Sequence, residues 1–209
     1  MIRMIIITLS LLLTMPGFSQ AGGDTNVIAT SEWSQPVRTE FGQALRGRMV
    51  IAQEHSPAHK GPWPETEFYL DLQNVSDAIG APMRIYFDVW HNLRCEMRDA
   101  EGKPFRTGVG GDGGGPAACW ITLPYNSTIR LRANMYGYGA QKSEGLLLML
   151  GPSAGGWRIK AGDTNEYFLS GTFAATPPTN YYTKDFETLR SEWRGTLVLP
   201  TMKVYGKEK

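Results

Sequence analysis

The stretch Glu67-Phe68-Tyr69-Leu70-Asp71-Leu72-Gln73 decides the fold class. Phe68, Leu70 and Leu72 alternate with Tyr69, Asp71 and Gln73, and a period of two puts the first set on one face of an extended strand and the second set on the other. Asn74-Val75-Ser76-Asp77 and Gly80-Ala81-Pro82 then read as a turn. Beyond it, Met83 to Val89 places Met83, Ile85, Phe87 and Val89 on one side, and Leu93 to Arg98 sets Leu93, Cys95 and Met97 against Arg94, Glu96 and Arg98. Asp99-Ala100-Glu101-Gly102 is a hairpin-type turn before Lys103 to Phe105. Leu45 to Ala52 reads as a strand upstream; Ala118 to Leu123, Thr128 to Asn134, Leu146 to Leu150, Tyr167 to Ala174 and Trp193 to Leu199 follow downstream. Asp185 to Arg190 has room for one short helical turn, but no segment sustains an apolar period of 3.6. About nine short strands at this spacing predict an all-β fold, an antiparallel β-sandwich over residues 45–209.

The N-terminus has a different pattern. Arg3 precedes the apolar run Met4 to Met15, which Pro16 and Gly17 stop before the small-residue end Ser19-Gln20-Ala21. This is the order of a secretory signal, and the run falls short of the ~20 apolar residues that a membrane-spanning helix needs. Residues 1–21 are therefore expected to be removed on export, to the periplasm, the cell surface or the medium. Residues 22–44, polar apart from such anchors as Trp33, read as an extended leader. No second apolar stretch is long enough to span, so the mature chain is expected to have no transmembrane segment.

Composition narrows the function. The chain of 209 residues has 21 Lys plus Arg against 20 Asp plus Glu. Only Arg3 falls in residues 1–21, so the remainder is formally neutral and lacks the overall basic surplus of a nucleic-acid-binding protein. Two cysteines exclude a four-cysteine zinc site. In an oxidising compartment Cys95 and Cys119 are expected to form a disulfide, worth about 3 kcal/mol by the loop-entropy relation and pinning the ends of the glycine loop between them.

Each candidate for chemistry has a plainer explanation. His55 and His59 are four apart, but Pro57 and the following Gly61-Pro62 oppose the helix that would bring them together, so no metal site is expected. His91 reads as a turn residue. Gly108 to Pro116 lacks the Lys-Ser/Thr and helix of a phosphate loop, and Asp112 is its single carboxylate, too few for calcium. No Gly-x-Ser-x-Gly elbow accompanies a nucleophile. Asp88 and Glu96, opposite apolar neighbours, are expected on a solvated face. No cofactor is implied. The positive hint is aromatic: Trp63, Trp90, Tyr136 and Tyr138 fall in turn-rich segments, where large planar side chains stack on sugars or anchor a protein partner.

Two local patterns carry a resemblance. Leu123-Pro124-Tyr125-Asn126-Ser127-Thr128-Ile129-Arg130-Leu131 is strand, Pro-led turn and strand; Ala161-Gly162-Asp163-Thr164-Asn165-Glu166-Tyr167 sets a Gly-Asp turn before a Tyr at a strand start. The second resembles the corner tyrosine of Ig-like and fibronectin-like sandwiches, whose phenol reaches back to upstream backbone. The region from Leu45 to Val204 resembles exported Ig-like domains in this broad sense, which implies a sandwich with adhesive or accessory roles and assigns no catalytic residue. The expectation is an exported, non-enzymatic binding or structural module for a protein or glycan. The alternatives are an exported hydrolase or metal-dependent enzyme on a β-scaffold, or a protease inhibitor.

Overall fold

A computed structural model describes residues 25–54, 65–77, 82–105, 117–133, 145–149, 156–160, 162–177 and 190–205. Its strands are β1 (Thr25–Thr30), β2 (Val37–Arg38), β3 (Ala44–Glu54), β4 (Glu65–Asn74), β5 (Met83–Phe87), β6 (Leu93–Asp99), β7 (Cys119–Leu123), β8 (Thr128–Arg132), β9 (Gly145–Met149), β10 (Gly156–Lys160), β11 (Glu166–Ala174) and β12 (Thr196–Tyr205), with a single turn of helix, α1 (Val89–Asn92), between β5 and β6. All the strand pairs are antiparallel. The fold is all-β. One sheet has the order β1-β3-β4-β8 with β2 also on β3, a second has the order β12-β11-β6, and β5-β7 and β9-β10 form two-stranded ribbons.

Alternation explains these pairings. In the β3–β4 register Met49 lies opposite Leu70 and Ile51 opposite Phe68, so matched apolar rows face inward, and Phe68, Leu70 and Leu72 are fully buried. Along β11 every second residue is buried, from Tyr167 through Leu169 and Gly171 to Phe173. Side chains of both larger sheets enter one hydrophobic core, among them Met49, Leu70, Leu169 and Leu199; each such side chain contributes roughly 1.5–3 kcal/mol. Two glycines let the elements approach. A Cβ on Gly47 of β3 would lie 3.0 Å from Leu197 and 3.2 Å from Leu199, both on β12. One on Gly171 of β11 would lie 3.1 Å from the Cys95 sulfur and 3.3 Å from that of Met49.

The polar stretch read as an extended leader contributes two strands, β1 and β2. Both pair with β3, with Val27 opposite Ala52 and Val37 opposite Leu45. Between them two serines continue the strand pattern with their hydroxyls. Ser31 N–H donates to Met49 O and Met49 N–H to Ser31 Oγ, both at 3.0 Å; Ser34 repeats this with Gly47 at 2.8 and 3.0 Å. A sequence scan for apolar alternation misses such a seam, because its register is held by small polar side chains.

The expected disulfide is absent: Cys95 and Cys119 are free thiols. Cys95 pairs with Gly171 in the β6–β11 ladder, whereas Cys119 pairs with Phe87 in the β5–β7 ribbon, so strand register commits them to different sheets. Burial pushes the Cys95 thiol up to about 12, and burial raises that of Cys119 too. Both are therefore held in the protonated form near neutral pH.

The expected solvated position of Asp88 also fails. Asp88 is buried and caps α1, accepting the Trp90 N–H at 3.0 Å. Glu96 is exposed, as the alternation predicts. Among the described residues no helix is long and apolar enough to cross a membrane.

Candidate functional site

Of the aromatic residues singled out in the sequence, Trp90 alone lies among the described residues. Trp63, Tyr136 and Tyr138 lie outside them, as do His55, His59 and the glycine loop. Trp90 lies in α1, half-buried and packed against the hydrophobic core. His91 next to it is exposed, and its Nδ1 lies 2.7 Å from Asp88 Oδ2. Asn92 Nδ2 donates to the carbonyls of Ala174 and Thr176, tying the turn to the end of β11. The segment from Asp88 to Asn92 is thus a fastened corner. Among the described residues no group of three or more His, Cys, Asp or Glu could hold a metal ion.

The polar side of the β3-β4-β8 sheet is where charged and aromatic groups converge. The residues opposite the core alternation are Arg46 and Arg48 on β3, Glu67, Tyr69, Asp71 and Gln73 on β4, and Thr128, Arg130 and Arg132 on β8. Register turns these separate patterns into cross-strand rows: Arg46, Gln73 and Thr128 in one, and Arg48, Asp71 and Arg130 in the next. Asp71 is therefore flanked by a cation on each side. Its side chain is only 2% exposed, which requires the compensation that it receives.

That compensation is thorough. Arg130 grips the carboxylate with both ends, Nε to Oδ1 at 2.7 Å and Nη2 to Oδ2 at 3.0 Å, the bidentate geometry that makes Arg–carboxylate pairs strong. Arg48 Nε adds a bond to Oδ2 at 3.0 Å. The hydrogen bond to Asp71 holds the Arg130 guanidinium above its ordinary pKa. Further along the sheet Arg132 Nη2 pairs with the buried Glu67 carboxylate, and Arg46 Nε donates to Gln73 Oε1 at 2.7 Å. Aromatic rings complete the face. The guanidinium carbons of Arg46 and Arg48 lie 4.9 and 4.5 Å from the Trp33 ring centre, and that of Arg130 lies 5.5 Å from Tyr69. The serine seam sets Trp33 in place, since Ser31 and Ser34 on either side of it are bonded to β3.

A smaller cluster of the same chemistry pins the approach to β12. The buried Glu192 carboxylate meets Arg194 at 2.7 Å and Arg84 at 3.7 Å, and Arg84 stacks 4.6 Å from the Trp120 ring centre. Trp193 beside it is buried, and its indole N–H donates to Val37 O at 3.1 Å.

Sequence reasoning missed the arginine face because its members come from three separate strands, β8 starting more than fifty residues after β4 ends. The signal existed as the polar half of each alternating strand: Arg-x-Arg, Tyr-x-Asp-x-Gln and Thr-x-Arg-x-Arg. Only the register shows that these line up. Comparisons with protein-family models, with curated proteins and with solved structures find no match to this chain.

Proposed function

We propose that this chain is an exported, non-enzymatic binding module that recognises a protein or glycan with the guanidinium-and-aromatic face of a rigid sheet. The observation that carries the reading is the cross-strand row Arg48–Asp71–Arg130 with Trp33 against Arg48. Cations and aromatic rings fixed in position before a ligand arrives lower the ordering cost of binding. Export rests on the signal-like order of residues 1–21.

An Ig-like sandwich is the scaffold that we propose for it. The strand orders β3-β4-β8 and β6-β11-β12 parallel the A-B-E and C-F-G orders of such domains. Tyr167 stands at the start of β11, the counterpart of strand F, where these domains carry their corner tyrosine. It departs in one detail, since its hydroxyl donates to the Asp163 carboxylate at 2.9 Å and not to backbone. Incubating the mature chain with arrayed polysaccharides and envelope proteins tests the function. Saturable binding is expected. Retention no greater than that of an inert β-protein across both arrays would reject it.

A further inference from the structure

The charges on this face are unevenly balanced. Over four consecutive cross-strand rows, from Arg46–Gln73–Thr128 to Ala52–Glu67, it carries four arginines and two carboxylates. Arg48 and Arg130 keep 30% and 40% of their side-chain surface exposed although both bind Asp71. Arg46 and Arg48 each donate through Nε alone among the described residues, so their terminal Nη groups remain able to donate elsewhere. Arg48 and Arg130 already bind a carboxylate, that of Asp71, and Arg46 donates to the amide oxygen of Gln73.

We propose that this face binds a polysaccharide bearing carboxylates at regular intervals, with Arg46, Arg48 and Arg130 receiving successive acidic groups along the chain. This deepens the binding-module reading and rests on it. Sheet geometry supplies the interval. Same-face neighbours along a strand, such as Arg46 and Arg48, have backbones about 6.6 Å apart, and strands two apart, as β3 and β8 are, lie about 9.6 Å apart. A fixed grid of cations suits a polymer whose charges repeat, and a formally neutral mature chain gives it local attraction without general stickiness toward polyanions. The flat surface of guanidinium planes and rings also suits a sugar chain better than an acidic peptide. An extended peptide is bound best at a sheet edge, where its backbone can pair.

The test uses the mature full-length chain and four probes: polygalacturonate, neutral dextran, poly-glutamate and duplex DNA. Polygalacturonate is expected to bind, and raising salt from 50 to 200 mM to weaken it several-fold. The Arg46→Gln/Arg48→Gln double variant should weaken it about tenfold or more. Arg46→Gln alone disturbs only the contact with Gln73 among the described polar bonds and should give an intermediate loss with an unchanged urea midpoint, so that misfolding is not mistaken for lost recognition. Failure of polygalacturonate to bind, equal binding of poly-glutamate or DNA, or a double variant that binds as tightly as the parent would each overturn the proposal. Salt-insensitive binding of dextran, or of a protein from the array, would overturn it too while leaving the broader binding-module reading intact.

Discussion

Replacing Cys95 with alanine tests how the buried thiol is coupled to stability. Its sulfur lies where a Cβ on Gly171 would come within 3.1 Å, and burial raises its pKa from 9.0 to about 12. Above pH 9 the unfolded chain releases this proton while the folded chain keeps it. The native state then binds more protons, and stability falls as pH rises. One pH unit is worth about 1.4 kcal/mol, so the full window contributes at most about 4 kcal/mol, and the two units from pH 9 to 11 at most about 3 kcal/mol. Below pH 9 the contribution is fully present. The assay is urea unfolding of the wild type and Cys95→Ala, with reductant, between pH 8 and pH 11. The alanine variant begins less stable because it loses packing, and the gap should narrow steadily above pH 9. Burial also raises the pKa of Cys119 and of Tyr167, but these groups are common to both proteins and their effects cancel in the difference. A gap that stays constant to pH 11 would refute the reasoning. Stability that drops sharply on adding reductant at pH 8 would refute the free-thiol assignment itself.

Three other substitutions probe the sheets. Gly47→Ala brings a methyl group within 3.0–3.2 Å of Leu197, Leu199 and Leu72, three buried leucines with little room to yield, and should lower stability by about 1–3 kcal/mol in thermal or urea unfolding. Asp71→Asn leaves two arginines against a neutral amide; the pairs are part-buried, so a loss of about 1–3 kcal/mol is expected, between surface and interior ion pairs, with the urea midpoint as readout. Tyr167→Phe removes the hydrogen bond to Asp163 and should cost about 0.5–1.5 kcal/mol, measured as a fall in urea midpoint at neutral pH.

The strands with one apolar face were legible from sequence. Phe68, Leu70 and Leu72 are buried as their alternation predicts, and so are Met83, Ile85, Phe87 and Leu93. The turn at Asp99–Gly102 appears with Gly102 at φ +79°, a conformation that glycine takes without strain. β12 runs on to Tyr205, six residues beyond the predicted Leu199, because Met202 and Val204 resume the inward alternation after a bulge at Pro200 and Thr201, where the register with β11 shifts. β1 and β10 escaped notice. In β1, Val27 and Ile28 are exposed and a register shift interrupts the alternation between Val27 and Ala29, while in β10 Gly156-Trp157-Arg158-Ile159-Lys160 is short and starts with glycine. The cysteine pair misled because compartment and parity say nothing about register. The turn read at Asn74 to Asp77 is held from inside: Asn74 is buried, its Nδ2 donates to Leu123 O and its Oδ1 accepts Ser76 N–H. The arginine face was the least legible feature, since each strand contributes only two or three polar residues and their meaning lies in the alignment.

The central claim, that a preformed row of guanidiniums on β3 and β8 is the recognition surface, is tested most directly by the arginine Nε–Hε resonances of the isotopically labelled protein during titration with oligogalacturonate. The account predicts that the signals of Arg46, Arg48 and Arg130 move together and saturate, while those of Arg84 and Arg194 at the Glu192 cluster stay in place. Saturable binding that moves Arg84 or Arg194 and leaves the three sheet arginines unshifted would contradict it.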